Sequence, residues 1–197
     1  MLITYSRFLG TPILSVQTSS PIGTIAESII DPDSLKILGF YVNSPLINHN
    51  TGNILDVTSI REYSKLGIII DGIDELVSSE DVVKIKKIIE LDFNLINLKV
   101  ETKKGSKLGK VLDFNMTPED FMIQQLIVKR PPLKSFLDTE LVIPRHEIVE
   151  ITDYKVIVKD EEKVIKEKAA KENFIPNFVN PFREKEFAPA ETEKKSD

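Results

Sequence analysis

The sequence contains no cysteine, and this absence removes several classes of function at once. Disulfide bonds, thiolate catalysis and cysteine-based zinc or iron–sulfur sites all require that residue. Histidine is scarce too, with only two residues, and no His-Glu-x-x-His pattern occurs. Because a metal site needs several ligands at fixed spacing, we interpret His49 and His146 as solvated loop residues. The sequence therefore predicts no metal and no cofactor.

Long hydrophobic runs are also missing. Polar residues interrupt every apolar stretch before it reaches the ~18 residues that a membrane-spanning helix needs. Residues 1–16 lack the basic start, the apolar run and the cleavage site of a signal peptide. With 41% hydrophobic and 29% charged residues, the composition is typical of a globular protein. We predict a soluble, cytoplasmic chain without a transmembrane segment.

The motifs of common enzyme classes do not occur. There is no Gly-x-Gly-x-x-Gly, no P-loop and no Gly-x-Ser-x-Gly. Carboxylates cluster in two places, which comprise Asp71, Asp74 and Glu75, and Asp31 and Asp33. Both clusters lie in predicted turns, where aspartate is favoured because its side chain bonds nearby backbone amides. We predict no catalytic residue, and an enzyme that uses the first cluster is the rival hypothesis.

An internal repeat is the strongest pattern that is present. Residues 22–42 match residues 108–128 at a shift of 86 positions. Residues 60–70 match residues 148–158 at a shift of 88, so the intervening loop has gained two residues. A register that changes only inside a loop is typical of a duplicated fold, because loops tolerate insertions and strands do not.

Each copy reads as several short strands separated by turns. In the first copy we predict a strand that ends near Val16, followed by strands at 24–30, 37–42, 60–63 and 68–70. Gly23 is expected at a bulge or close backbone approach that a Cβ atom would block. The fold class is therefore mainly β, with two tandem small β-barrel modules, a short linking helix and an irregular tail. The predicted boundaries are 1–77 for module 1, 78–92 for the linker helix, 93–160 for module 2 and 161–197 for the tail.

The linker helix is predicted near residues 79–90. Serine precedes it, acidic residues occupy its first turn and lysines its end, as the helix dipole prefers. Val82, Ile85, Ile88 and Ile89 recur at helical spacing. We interpret it as an amphipathic helix that packs on its own domain, rather than as a helix for a partner.

Four segments of the second copy together resemble the PRC-barrel domain. They are Leu108–Asp113, Thr117–Glu119, Ile123–Val128 and Ile143–Ile148, the last of which contains Ile-Pro-x-x-x-Ile. The family includes the cytoplasmic domain of the photosynthetic reaction-centre H subunit and the C-terminal half of a ribosome-maturation factor. The first copy departs from the pattern, with Asp56-Val57-Thr58 where the second copy has Pro144-Arg145-His146, and Ser19 in place of Gly105. The resemblance implies a fold and leaves the function open.

Lysines are concentrated at the start of the second copy. Residues 82–111 contain eight lysines and three acidic residues, although the formal net charge of the chain is −5. The candidate binding residues of this segment are Lys99, Lys103, Lys104, Lys107 and Lys110. Such a patch suits nucleic acid, but no aromatic residue is interleaved with these lysines in the sequence.

The tail is the second candidate binding segment. Phe174, Phe178 and Phe182 are expected either to pack across the barrels, which we favour, or to anchor a partner, with 188–197 disordered. We predict a non-enzymatic protein-binding or scaffold module. An RNA-associated or ribosome-associated assembly factor that uses the lysine-rich hairpin is the alternative, and the oligomeric state stays open.

Overall fold

The computed structural model describes residues 1–47, 52–64, 66–131 and 139–160. Short strands dominate these residues, as the sequence predicted. The strands are β1 (Ile3–Thr4), β2 (Pro12–Ser15), β3 (Ser20–Asp31), β4 (Lys36–Asn43), β5 (Ile54–Asp56), β6 (Glu62–Ser64), β7 (Gly67–Ile70), β8 (Leu76–Val77), β9 (Lys99–Thr102), β10 (Lys107–Thr117), β11 (Met122–Lys129), β12 (Glu140–Pro144), β13 (Ile148–Ile151) and β14 (Lys155–Val158). The helices are α1 (Tyr5–Phe8) and α2 (Val83–Glu90), and 3-10 turns lie at Val57–Ser59, Ile73–Glu75 and Arg145–Glu147. Within the described ranges, no helix is long and apolar enough to cross a membrane.

All of these strands belong to one hydrogen-bonded sheet. Its main path runs β13-β14-β9-β10-β11-β4-β3-β2-β7-β6, with β1, β5, β8 and β12 attached at its sides. The sheet is open, and two separate closed barrels are not confirmed. Residues 1–160 form one compact unit. The mainly β fold class is confirmed, while the two predicted modules share a continuous sheet.

We call residues 1–77 the first half and residues 93–160 the second half. Both halves pair their strands in the same order: β7-β2-β3-β4-β5 in the first and β14-β9-β10-β11-β12 in the second. The long hairpin also keeps its register, since Thr24 lies opposite Asn43 and Lys110 lies opposite Lys129. Each hairpin has two bulges at matching places. The shift of 86 found in the sequence is therefore also the shift between equivalent Cα pairs.

The two halves meet at a pair of turns. The amide of Ile37 donates to the carbonyl of Phe121 at 3.0 Å, and the amide of Ile123 donates to the carbonyl of Leu35 at 3.0 Å. These contacts are reciprocal, because Leu35 and Phe121 are equivalent positions. Both residues have positive φ, 50° and 54°, which costs a bulky side chain about 1 to 2 kcal/mol. Contacts between the two halves therefore hold both turns in a strained backbone conformation.

Aromatic side chains connect the halves in one hydrophobic core. Phe121 packs edge-on against Phe8 and Phe40 of the first half, with ring centroids 6.3 and 5.5 Å apart. Tyr5 stacks on Phe114 of the second half at 4.5 Å. The Tyr5 hydroxyl accepts a hydrogen bond from the Ser28 amide, and burial raises the pKa of Tyr5 above its usual value. Buried residues from both halves thus form a single cluster.

Helix α2 packs on the first half. Its Ile85 is buried in a small cluster with Ile29 and Ile54, which lie on β3 and β5. This is the packing expected of an amphipathic helix on its own domain. The helix begins at Val83, later than the sequence indicated, because Ser78 bonds the carboxylate of Asp81 and does not cap the helix.

Two glycines mark close backbone approaches in the hairpins. A Cβ atom at Gly23 would lie 2.9 Å from the carbonyl oxygen of Asn43, which agrees with the predicted role of Gly23. At the equivalent Gly109 the same atom would lie 2.0 Å from the carbonyl oxygen of Lys129, and φ is +151°. The β10–β11 hairpin therefore depends on glycine at this position.

Replacing Gly109 by alanine should lower the free energy of unfolding by about 3 kcal/mol or more, because strain and overlap with backbone add together. Gly105→Ala is the matched control. Gly105 also has positive φ, +81°, but nothing lies within 4 Å of its added Cβ, so about 1 kcal/mol is expected. Urea unfolding of both variants measures the difference. Equal losses would contradict the close approach at Gly109.

Candidate functional site

A row of lysines crosses the outer face of the second half. Lys99 on β9 lies directly opposite Lys110 on β10, which lies directly opposite Lys129 on β11. Residues in register on neighbouring strands point to the same face, and adjacent strands are about 4.8 Å apart. The side chains of all three are exposed. We call Lys99, Lys110 and Lys129 the lysine row.

A shallow cavity of about 450 Å³ adjoins this row. It is lined by the lysine row together with Lys107, Arg130, Glu101, Val100, Gly109 and Pro131. Five of its side chains are cationic and one is anionic. We call these five cations, which are the lysine row with Lys107 and Arg130, the basic face.

The nearby carboxylates pair with lysines outside the lysine row. Glu101 accepts from the ammonium of Lys155 at 3.3 Å, and Asp160 lies 3.9 Å from the ammonium of Lys104. Among the described residues, no carboxylate forms an ion pair with the lysine row. Glu140 lies opposite Lys129 on β12 and ends the row on that side. The charge of the lysine row is therefore not neutralised by an ion pair with any described carboxylate.

The lysine row costs the fold stability, since like charges directly opposite each other on a sheet repel. The first half provides a comparison within the same chain. Its equivalent positions are held by Pro12, Thr24 and Asn43, which are paired in the same register and carry no charge. Because the same strand arrangement forms with neutral residues there, the fold does not require the lysines.

The predicted lysines divide into two groups. Lys99, Lys107 and Lys110 line the cavity, whereas Lys103 and Lys104 form the turn between β9 and β10. Sequence reasoning missed Lys129 and Arg130, which reach the site from the end of β11. Phe174, Phe178 and Phe182 lie outside the described residues, as does His49.

The predicted turn carboxylates make structural contacts. Asp31 accepts from the amide of Asp33 at 3.0 Å and from the hydroxyl of Ser34 at 2.6 Å, which closes the turn after β3. Asp71 pairs with Arg61, and its carbonyl accepts from the hydroxyl of Ser15. Asp31 has the backbone role that the sequence suggested for turn aspartates, whereas the carboxylate of Asp71 forms an ion pair with a side chain.

His146 has an exposed side chain that contacts Glu147 at 3.2 Å. Neither residue belongs to a potential metal site, since no group of three histidine or carboxylate side chains that could hold an ion occurs in the described part of the chain.

The second half can now be compared with known families. The PRC-barrel domain family matches residues 87–165. This segment is a PRC-barrel domain. The lysine row and the whole basic face lie inside the PRC-barrel domain, and the match leaves the first half outside. No curated protein matches the chain.

Proposed function

We propose that the chain is a non-enzymatic binding or scaffold module, built from two copies of the PRC-barrel domain, whose second copy binds RNA through the lysine row. The observation that carries the function is the row itself. Three uncompensated lysines stand in register across neighbouring strands of an exposed face. A surface of this kind suits a ligand with regularly spaced negative charges, and the phosphate backbone is such a ligand.

The shared strand order and hairpin register of the two halves support the proposal that the first half is also a copy of this domain. The hairpin tips add a further likeness. The amide of Leu66 donates to the hydroxyl of Ser64, and the amide of Tyr154 donates to the hydroxyl of Thr152. These pairs are equivalent at the shift of 88. Agreement in bulges and turns is more specific than agreement in apolar strands, because turn chemistry is set position by position.

The uneven distribution of charge supports binding of a polyanion, although the chain as a whole is acidic. The net charge of −5 averages over the whole sequence, whereas the cavity carries five cations and one anion. A polyanion within a Debye length of about 10 Å responds to the local charge. The absence of interleaved aromatic residues favours contacts to phosphates over stacking on bases. We therefore expect binding with little sequence preference.

A protein partner is the second candidate, and the hairpin tips favour it. Leu66 and Tyr154 occupy equivalent positions in the two halves, and 76% and 80% of their surfaces are exposed. An apolar or aromatic residue exposed at the same place in both halves suits a contact with another protein.

Binding of RNA by the full chain tests the proposal. We expect the association constant for a labelled single strand of about 20 nucleotides to fall with salt, with a slope of about −2 in log–log form, because each of three phosphate contacts contributes about −0.7. Fluorescence anisotropy between about 50 and 200 mM salt measures this slope. Undetectable binding at the lowest salt, or binding insensitive to salt, would reject the RNA proposal and leave the protein partner in first place.

A further inference from the structure

A second cavity lies at the junction of the two halves, away from the lysine row. Its volume is about 360 Å³. We call it the junction cavity. The lining residues are Lys36, Val57, Thr58, Ile60, Arg61, Glu62 and Tyr63 from the first half, and Pro118, Glu119, Asp120 and Phe121 from the second. The 3-10 turn that starts at Val57 forms one wall, and the turn between β10 and β11 forms the other.

The equivalent place on the other side of the junction holds an arginine side chain. Arg145 starts the corresponding 3-10 turn of the second half. Its guanidinium group donates to the carbonyl of Ser34 at 2.6 Å and to the carbonyl of Ile123 at 3.4 Å. Ser34 belongs to the first half, so Arg145 fills the cleft between its own 3-10 turn and the opposite turn.

The two sides differ at several equivalent positions, and two of these differences bear on the cleft itself. Val57 stands where Arg145 does, and Asp120 stands where Ser34 does. Valine is too short to cross the cleft, which leaves the junction cavity in the first half. We propose that the junction cavity binds an arginine side chain from a partner protein, in the place that Arg145 occupies on the other side. This site is separate from the lysine row and does not depend on RNA binding.

The chemistry of the walls suits a guanidinium group. Glu62, Glu119 and Asp120 line the cavity, and guanidinium binds carboxylates through paired hydrogen bonds. Glu119 also pairs with the amino terminus of Met1 at 3.5 Å, and Asp120 Oδ1 accepts from the Thr117 hydroxyl and the Met122 amide, so Glu62 is the main carboxylate for the ligand. Tyr63 supplies an aromatic ring, on which the planar guanidinium stacks better than a lysine ammonium, and the largely buried Phe121 borders the cavity. Of the two cations in the wall, Arg61 is neutralised by its pair with Asp71. The hydrogen bond from the Thr117 hydroxyl is the main cause that lowers the pKa of Asp120, and the charge of Lys36 adds a smaller contribution in the same direction, so Asp120 is ionised at neutral pH.

A capped Gly-Arg-Gly peptide, titrated into the full chain and followed by amide NMR shifts, tests the proposal. We expect saturable shifts at Val57, Tyr63 and Phe121, with a dissociation constant in the millimolar range, on the order of 1 to 10 mM. The matched Gly-Lys-Gly peptide should bind about tenfold or more weakly, because it cannot form paired bonds or stack in the same way. No shifts at these residues would overturn the proposal, and equal shifts with the lysine peptide would overturn the choice of arginine.

Val57→Arg is the decisive variant. By analogy with Arg145, the new side chain should fill the junction cavity, raise the melting temperature and abolish binding of the arginine peptide. Val57→Ala is the control, since it leaves the cavity open and should retain binding. Unchanged peptide affinity in Val57→Arg, with the fold intact by NMR, would contradict the assigned site. The variant should leave RNA affinity unchanged, so failure of this inference is distinguishable from failure of the RNA proposal.

Discussion

Replacing Lys110 and Lys129 by the neutral residues of the first half should weaken RNA binding about 25-fold at 0.1 M salt, because two phosphate contacts are lost. The variant is Lys110→Thr/Lys129→Asn, which copies Thr24 and Asn43 from the equivalent positions. The salt slope should become shallower by about 1.4. Anisotropy titrations at several salt concentrations give both quantities.

The same variant should be more stable than the wild type. It removes two like charges that face each other across β10 and β11, a pairing that costs about 0.2 to 1 kcal/mol. Threonine also suits a strand better than lysine does. An increase in the free energy of unfolding together with a decrease in RNA affinity would identify the lysines as functional residues that lower the stability of the fold. Replacing a residue with a purely structural role would instead lower the free energy of unfolding.

Lys84→Gln/Lys87→Gln is the matched control. It removes the same number of charges from exposed positions on α2, which packs against the first half. RNA affinity should change less than threefold, because a charge far from the contact acts only through a screened field. Equal losses in the two double variants would mean that total charge, and not the lysine row, determines binding.

The basic face could be predicted only in part from the sequence. Lys99, Lys107 and Lys110 lie close together along the chain, so their density was visible. Lys129 joins them through the register of the β10–β11 hairpin, which contains two bulges. The first bulge adds a residue to β10 and the second adds one to β11, so the two offsets cancel. A simple hairpin register, counted residue by residue outward from the turn at Thr117–Phe121, places Lys129 opposite Lys110. This count was the one feature of the sequence that could have identified Lys129.

The joining of the halves into one sheet had no comparable signal. The repeat predicted the strands and the register within each half, because apolar periodicity and turn residues are local properties. The hydrogen bonds that the carbonyls of Leu35 and Phe121 accept from the other half depend on how the turns approach each other in space. The sequence of a turn does not show whether its buried side chain packs in its own half or in the other half. The sequence therefore indicated two modules but did not indicate that they share one core.

The shared core implies that Phe121→Ala should destabilise both halves together. Phe121 is 6% exposed and packs on Phe8 and Phe40 of the first half, so its removal should cost about 3 to 5 kcal/mol. Amide hydrogen exchange should show equal losses of protection in β3 and β10, since each half loses the other as its support. Protection that falls in β10 alone would show that the halves unfold independently.

The backbone at Phe121 sharpens this prediction. Its φ of 54° is strained for any residue with a Cβ atom, and alanine keeps that strain whereas glycine does not. Phe121→Gly should therefore be about 1 kcal/mol more stable than Phe121→Ala, the reverse of the usual order for these residues. Leu112→Ala, at a position that is 44% exposed on β10, serves as the control and should cost less than about 1 kcal/mol. If alanine proved the more stable of the two replacements at residue 121, the positive φ at the junction of the halves would be wrong, and with it the reciprocal hydrogen bonds that the carbonyls of Leu35 and Phe121 accept.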